Sequence, residues 1–385
     1  MENIFITKIY IDKVRHLNDV DIILSDSERK HLILTGKNGS GKTSLLEAMS
    51  DCVLNEQYKF GKNNPYNMWN KHYEKLHELQ NKEKPGVFIS YSKNNVNLFD
   101  VIFAYISAWR NKLDVPKSIE PVDIQGKTVV IRNASKEFLK HVLNLDYQLY
   151  GAKSEKNNVL EKKLEKWFDD LKTALRKIYN CEKLELKRDT KKLVFKIALP
   201  NREPFGLHEM SDGYAAFIDI YMELLMRLEN DDMEVNYEQS AIVMIDEIET
   251  HLHVELQKQI LPFLTKMFPN VQFIVATHSP FVMTSLENAV VYNLEKGETL
   301  EKPSFYSYET VVESFLDTDM YSEKLKNYFE RYKELCFKDR TSEENEEFLR
   351  AKAELEIMSR PSTELYIAFQ ELEMKRKAVK NGSIV

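Results

Sequence analysis

The stretch Gly36-Lys37-Asn38-Gly39-Ser40-Gly41-Lys42-Thr43 sets three glycines, a lysine and a hydroxyl in the spacing G-x-x-x-x-G-K-[ST]. Glycines let a backbone curl round a polyphosphate, so that successive N–H groups and a following helix N-terminus point at its oxygens. Lys42 then reaches the β- and γ-phosphates, and Thr43 supplies a ligand to magnesium. The pattern predicts a site for ATP and Mg²⁺ built from Gly36, Asn38, Gly39, Ser40, Gly41, Lys42, Thr43 and Ser44. The chain is otherwise poor in glycine, with 11 in 385 residues where average usage gives roughly 27.

A second cluster is Ile242-Val-Met-Ile-Asp246-Glu247. A carboxylate at the end of a buried strand is costly unless a cation or donors meet it, which suits Asp246 as the magnesium-side ligand. Glu247, one residue on, suits a general base that polarises the attacking water. A third piece is His278 in Ala276-Thr-His-Ser-Pro280, just past a β-branched run and placed to sense a γ-phosphate. Lys42, Glu247 and His278 are therefore the expected catalytic groups.

These residues need particular elements to hold them. His31–Thr35 reads as a short buried strand, and Leu45, Leu46 and Met49 recur at helical spacing after Thr43, giving strand, glycine turn, helix. Ile4–Leu24 alternates with period two around a break at His16–Asp19, predicting two antiparallel strands. Residues 55–84 read as polar and irregular, 87–92 and 101–106 as strands, and 123–150 as mixed. Residues 158–179 form a charged helix whose stripe of Leu160, Leu164, Trp167, Phe168, Leu171 and Leu175 should lie on a core. It is too short for a long coiled-coil rod. Further on, 193–198 reads as a strand and 213–228 as a helix. The strands 241–245 and 272–276, with a helix over 252–268, predict a β-α-β unit of parallel strands whose carboxyl ends carry the chemistry. From Thr310 the pattern is helical, with a capping box at Thr341 and Glu344 and a break at Pro361.

Composition narrows the class. The chain is 43% hydrophobic and 30% charged with net charge −7, which supports a packed core and disfavours non-specific polyanion binding. Its three cysteines are far apart and lack C-x-x-C spacing, against a disulfide framework or a thiolate zinc site. The amino terminus has no basic stretch leading into an apolar one, and no apolar run approaches the ~20 residues that span a bilayer. The expectation is a cytoplasmic protein without a membrane partner.

In their order and context these motifs resemble an ABC-type ATPase of the SMC, RecF and OLD superfamily. The opening strand Ile6–Leu17, the phosphate loop, Ile245–His253 as Walker B and D-loop, and Ala276–Pro280 as the switch-histidine segment carry the resemblance. It implies an α/β fold: a P-loop head with a mixed central β-sheet and flanking helices, a helix-rich insertion and a helical C-terminal region. It also implies a signature segment that completes a partner's nucleotide site. Met210-Ser-Asp-Gly-Tyr214 is the match, with Ser211 and Gly213 fitting and Met210, Asp212 and Tyr214 departing. Arg15 stands where the family places an arginine near the nucleotide. Arg110 reads as structural, and His251 and His253 as interface residues rather than metal ligands. Neither Gln57 nor Gln80 is assigned as the Q-loop residue.

With one P-loop and one signature, the resemblance implies a head-to-tail homodimer holding two ATPs. The expected lobes are residues 1–120 with the P-loop, 121–204 as insertion, 205–308 with signature, Walker B, D-loop and histidine, and 309–385 as a helical region. The size and layout are similar to ATPase subunits of bacterial anti-phage defence systems, of the Septu, PARIS and retron-associated kinds. There the ATPase would act as sensor and scaffold for a separate effector such as a nuclease. The alternatives are a RecF-like repair ATPase binding duplex DNA, and a transporter's nucleotide-binding subunit, for which the Q-loop glutamine and a fuller signature are lacking.

Overall fold

Alternating burial over Ile6–Val14 (β1) and Leu17–Ile23 (β2) makes an antiparallel hairpin, with Val14 opposite Leu17 at its closed end. His31–Thr35 (β3) is buried throughout and enters a different sheet. Val87–Tyr91 (β4) returns to the first, giving the order β2-β1-β4. Helix α1 (Lys42–Lys62) follows the glycine turn. The computed structural model describes residues 4–62, 86–93, 96, 98, 101–110, 137–189, 194–230, 234–316, 321–357 and 364–380.

Ile102–Ile106 (β5) opens the sequence that builds the rest of the large sheet. Helices α2 (Phe138–Ser154) and α3 (Asn158–Ile178) pack as a pair, and α3 turns Leu164, Trp167, Leu171 and Leu175 inward. Asn157 caps α3 by accepting from the Leu160 amide at 3.2 Å. A small antiparallel sheet follows, β6 (Glu185–Asp189), β7 (Val194–Ala198) and β8 (Phe205–Gly206), in the order β6-β7-β8. Then come α4 (Asp212–Leu228), β9 (Ala241–Ile245), α5 (Val254–Met267), β10 (Val271–Ala276), β11 (Ala289–Asn293) and β12 (Glu298–Glu301).

The central sheet runs β12-β11-β3-β10-β9-β5. All neighbours from β11 to β5 are parallel, and β12 closes the edge as an antiparallel hairpin. Fully buried strands such as β3, β9 and β10 belong in a parallel sheet covered on both faces. Leu32, Leu34, Met244, Ile274 and Val290 pack with Leu45, Leu46, Met49 and Val53 of α1 and with Ile6, Ile9 and Ile11 of β1.

Two buried polar side chains hold β10 in place, one to the other sheet and one to its neighbour β3. Gln272 on β10 accepts from the Ile6 amide at 2.7 Å and donates to the Ile6 carbonyl at 2.9 Å and the Lys30 carbonyl at 2.8 Å. It thereby imitates a strand neighbour, and its own amide oxygen and nitrogen are paired. His31 Nδ1 accepts from the Phe273 amide at 3.0 Å.

The chain divides into two compact units, Met1–Tyr308 and Glu309–Val385. The second is built on α6 (Glu323–Cys336), α7 (Ser342–Glu356) and α8 (Glu364–Lys380), around Tyr332, Leu335, Phe348, Leu355 and Phe369. Thr341 and Glu344 form the capping box at the start of α7. The break expected at Pro361 lies outside the described residues. One expectation needs correcting: the polar stretch from residue 55 is not irregular at its start, because α1 continues to Lys62. No glycine or proline interrupts it before Gly61, so the helical ladder simply extends past the apolar part.

His31 generates a prediction. Burial, and next the Arg29 charge, push its pKa down to about 4 from an unfolded value near 6.5. The unfolded chain therefore binds a proton that the folded chain refuses, and this contribution is full above pH 6.5 and lost as pH falls through 4. It amounts to roughly 3 kcal/mol at most. Urea unfolding at pH 7 and pH 5 should show wild type losing more stability than His31→Asn, which keeps an acceptor for the Phe273 amide without a titrating ring. Equal losses would refute it.

Candidate nucleotide-binding site

The turn after β3 has the backbone that its glycines predict. Gly36, Gly39 and Gly41 have φ of +135°, +84° and +99°, a region that side chains resist. At Gly36 a Cβ would also meet Ser40 Oγ at 2.7 Å, and at Gly41 it would meet Leu17 at 3.0 Å. The second approach shows that the closed end of the β1–β2 hairpin is pressed onto the loop. It carries Arg15, at φ +54°, and His16 to the same place.

Lys42 folds back over the loop, donating to the carbonyls of Gly36 at 2.8 Å and Lys37 at 3.2 Å. Burial lowers its pKa, and the field of Asp246, then Glu249, opposes that shift. Thr43 Oγ1 donates to Asp246 Oδ2 at 2.8 Å, linking the first turn of α1 to the end of β9. Asp246 Oδ1 is buried with no protein partner, and burial pushes this carboxyl up. A hydroxyl and a buried carboxylate oxygen are the kind of oxygen donors that magnesium takes.

After β9 the chain turns sharply. Glu247 is exposed, with φ +42°, and its Oε2 accepts from Thr250 Oγ1 at 3.3 Å. Glu249 Oε1 accepts from the His278 amide at 2.6 Å, joining this turn to the end of β10. Its Oε2 is buried without a partner. His278 is half-buried, and burial followed by the Lys42 charge lowers its pKa, which favours a neutral ring near pH 7.

A cleft of about 300 Å³ gathers these groups. Of the residues expected at the site, Arg15, Asn38, Gly39, Gly41, Lys42, Thr43, Ser44, Glu247 and His278 line it. Gly36 shapes the loop beneath Lys42, Ser40 is buried, and Asp246 is reached through Thr43. Ser211 and Gly213 are not among its lining residues. Ser211 is exposed at the N-cap of α4, where its side chain caps nothing. A Cβ on Gly213 would lie 3.0 Å from the His251 carbonyl, so the D-loop packs directly on this helix head. Tyr214 turns to stack on Tyr179 at 4.0 Å, 10° from parallel, with the His253 ring edge-on at 6.2 Å.

Sequence reasoning missed His16 and Glu249 and underrated Arg110. His16 adjoins Arg15 in the same turn, and Glu249 is the next acidic residue of the same motif. Arg110 donates from Nη2 to the carbonyls of Asp246 at 2.9 Å and Glu247 at 3.1 Å, and from Nη1 to the Ser107 carbonyl.

A strand, glycine loop and helix bearing Lys42 and Thr43, with an acidic strand end two places across a parallel sheet, define an ABC-type P-loop nucleoside-triphosphatase head. The chain belongs to the AAA_21 family, described as "AAA domain, putative AbiEii toxin, Type IV TA system", which matches residues 32–284. It is similar to the Septu protein PtuA of Bacillus mycoides (strain KBAB4), at 26% identity over 77% of this chain and 41% of the relative. It is also similar to a retron Ec83 probable ATPase of Escherichia coli, at 27% identity over 38% of this chain and 28% of the relative. The chain thus spans less than half the length of either. A solved SMC head bound to the C-winged helix domain of ScpA aligns over 78% of this chain and all of its own, at 14% identity and a TM-score of 0.40.

Removing the Lys42 ammonium should weaken ATP binding by about tenfold to a hundredfold, the worth of a charge-assisted contact. Calorimetric titration of Lys42→Ala with MgATP checks this, and wild-type affinity would exclude the loop as the phosphate cradle. Asp246→Asn should lose the magnesium dependence of binding while ATP alone still binds.

Proposed function

We propose that this chain binds MgATP and hydrolyses it in sites shared between two copies arranged head to tail, and that it serves as the sensing ATPase of an anti-phage defence system. The observation that carries the reading is the Thr43–Asp246 pair, whose second carboxylate oxygen is buried without a partner beside a lysine-bearing glycine loop. The loop amides and Lys42 hold the phosphates. Thr43 and Asp246 hold Mg²⁺, which would polarise the γ-phosphoryl group when bound. Glu247 takes the proton of the attacking water, and His278 orients the terminal phosphate.

The case for two copies rests on what the cleft lacks. Ser211 stands exposed at the positive end of a 17-residue helix and contributes nothing to the cleft of its own chain. A helix N-terminus offered outward in this way suits the phosphates of a second copy.

The defence role draws on the similarity to the Septu protein and the retron ATPase. On this reading a separate effector, such as a nuclease, is held until a phage product changes the nucleotide state. Among the described residues no helix is long and apolar enough to cross a membrane. The RecF-like alternative gains no support from the helical insertion. Several of its cations face carboxylates, Lys153 with Glu165, Lys163 with Glu234 and Arg188 with Asp146, which weakens the field they would offer a phosphate backbone.

Glu247→Gln should cut turnover by about a hundredfold or more, the usual contribution of a general base, while ATP stays bound and the dimer accumulates in light scattering. Wild-type turnover would remove Glu247 from the mechanism. Ser211→Arg should bind ATP but not hydrolyse it. Mixing inactive Ser211→Arg with inactive Lys42→Ala should restore part of the activity, because one site of each mixed dimer then has an intact loop and an intact signature. A mixture that stays dead would refute sites shared between copies.

A further inference from the structure

Glu247 occupies a conformation that its own chemistry does not favour. It is neither glycine nor asparagine, yet its φ is +42°, and such residues persist only where their surroundings hold them. Two donors meet its carbonyl: the Thr250 amide at 3.0 Å, which closes the turn, and Arg110 Nη2 at 3.1 Å. The same nitrogen donates to the Asp246 carbonyl at 2.9 Å, so one arm of the guanidinium spans the two residues on which the chemistry depends. The other arm is fixed on the Ser107 carbonyl.

Arg110 is well placed for this because of the sheet. It lies four residues past β5, which pairs in parallel with β9 in register Ile106 with Ile245. The Asp246 amide donates to the Ile106 carbonyl at 2.8 Å, continuing the ladder one residue beyond the strand. The chain after β5 therefore runs beside the turn after β9, and a long planar side chain can reach back across it. Arg110 is half-buried; desolvation lowers its pKa, and Asp219 of α4 is the carboxylate that most opposes that shift. Asp219 is itself buried and sits on the helix headed by Ser211. The guanidinium thus lies between the signature helix and the hydrolytic turn.

We propose that Arg110 is a positioning residue for hydrolysis, which holds Glu247 in its left-handed conformation by gripping the Asp246 and Glu247 carbonyls from the end of β5. It is not among the residues that line the cleft and acts only through the turn. The inference rests on the ATPase reading above, in which Glu247 is the base. Losing the grip lets the turn relax toward ordinary backbone and carries the Glu247 carboxylate off the line of attack, whereas Lys42 and the glycine loop are untouched. Binding and catalysis should then separate.

The test measures steady-state kcat and KM, MgATP affinity and thermal melting for Arg110→Ala and Arg110→Lys, each also combined with Glu247→Gln. Residual hydrolysis in the Glu247→Gln background is followed over hours in single-turnover reactions with labelled ATP. Arg110→Ala should lower kcat by about tenfold to a hundredfold, with KM and affinity near wild type. Arg110→Lys keeps a cation opposite Asp219, and therefore the fold, but lacks the fork that anchors on Ser107 while spanning two carbonyls, so it should show the same split. In the Glu247→Gln background neither substitution should reduce the residual rate further, because the group they position is gone. An equal fold-loss in both backgrounds, a loss of affinity matching the loss of rate, or wild-type kcat in both variants would overturn the proposal. Wild-type turnover by Glu247→Gln alone would instead overturn the ATPase reading on which it rests.

Discussion

The hydrogen bond from Thr43 to Asp246 is the contact on which the architecture turns. It joins the first turn of α1 to the end of β9, two elements some two hundred residues apart in the chain, and it uses only one of the two carboxylate oxygens. The other is buried without a partner. Burial pushes the pKa of this carboxyl upward against the Thr43 and Glu247 hydrogen bonds and the Arg110 charge, and a cation beside the free oxygen would relieve that cost. The geometry therefore favours positive charge at the point where the glycine loop, Lys42 and the β10 terminus converge.

Keeping Thr43 and Asp246 within reach requires β3 and β9 to hold a fixed separation, and β10 lies between them. The devices that fix β10 are polar and buried. Gln272 stitches it to β1, His31 of β3 accepts from its Phe273 amide, and Glu249 fastens its end to the turn after β9. Each satisfies groups that water cannot reach, so each specifies one arrangement rather than merely adding stability. The apolar face beneath, from α1 and the antiparallel sheet, supplies the bulk of the burial without selecting the register.

The parts of the site legible in the sequence were the local ones. A glycine loop announces itself because φ, spacing and phosphate chemistry all constrain the same eight residues, and an acidic strand end does so because the apolar run before it is short and sharply bounded. Arg15 needed the family resemblance, since nothing in its own neighbourhood says that Leu17 will press on Gly41. Arg110 was legible as an arginine after a strand but not as a clamp, because the pairing of β5 with β9 bridges a long insertion and leaves no periodic trace. Glu249 was hidden by its neighbours: once Asp246 and Glu247 had accounted for the expected chemistry, nothing in the spacing marked a third carboxylate as the holder of the His278 amide. The helix over residues 55–62 was obscured because apolar periodicity fades there, while the helical ladder needs no apolar residue to continue.

The departures from the signature pattern also acquire a physical meaning. If residues 210–214 are the signature segment that the resemblance implies, Tyr214 stands in place of its glutamine or glutamate, and its ring is stacked on Tyr179, at the end of α3. On its other side is the His253 ring, and the glycine before it admits the His251 carbonyl. The end of the insertion's helix, the head of α4 and the D-loop are thus one packed block, with little slack between them. In the proposed dimer a second copy closes on Ser211, at the tip of that block, and the displacement it imposes is shared by α3 on one side and the D-loop on the other. Packed aromatic rings resist gradual compression and move as bodies. On the proposed reading, the insertion and the turn that carries Glu247 therefore have a short mechanical route between them. That route runs through the residues that break the family pattern.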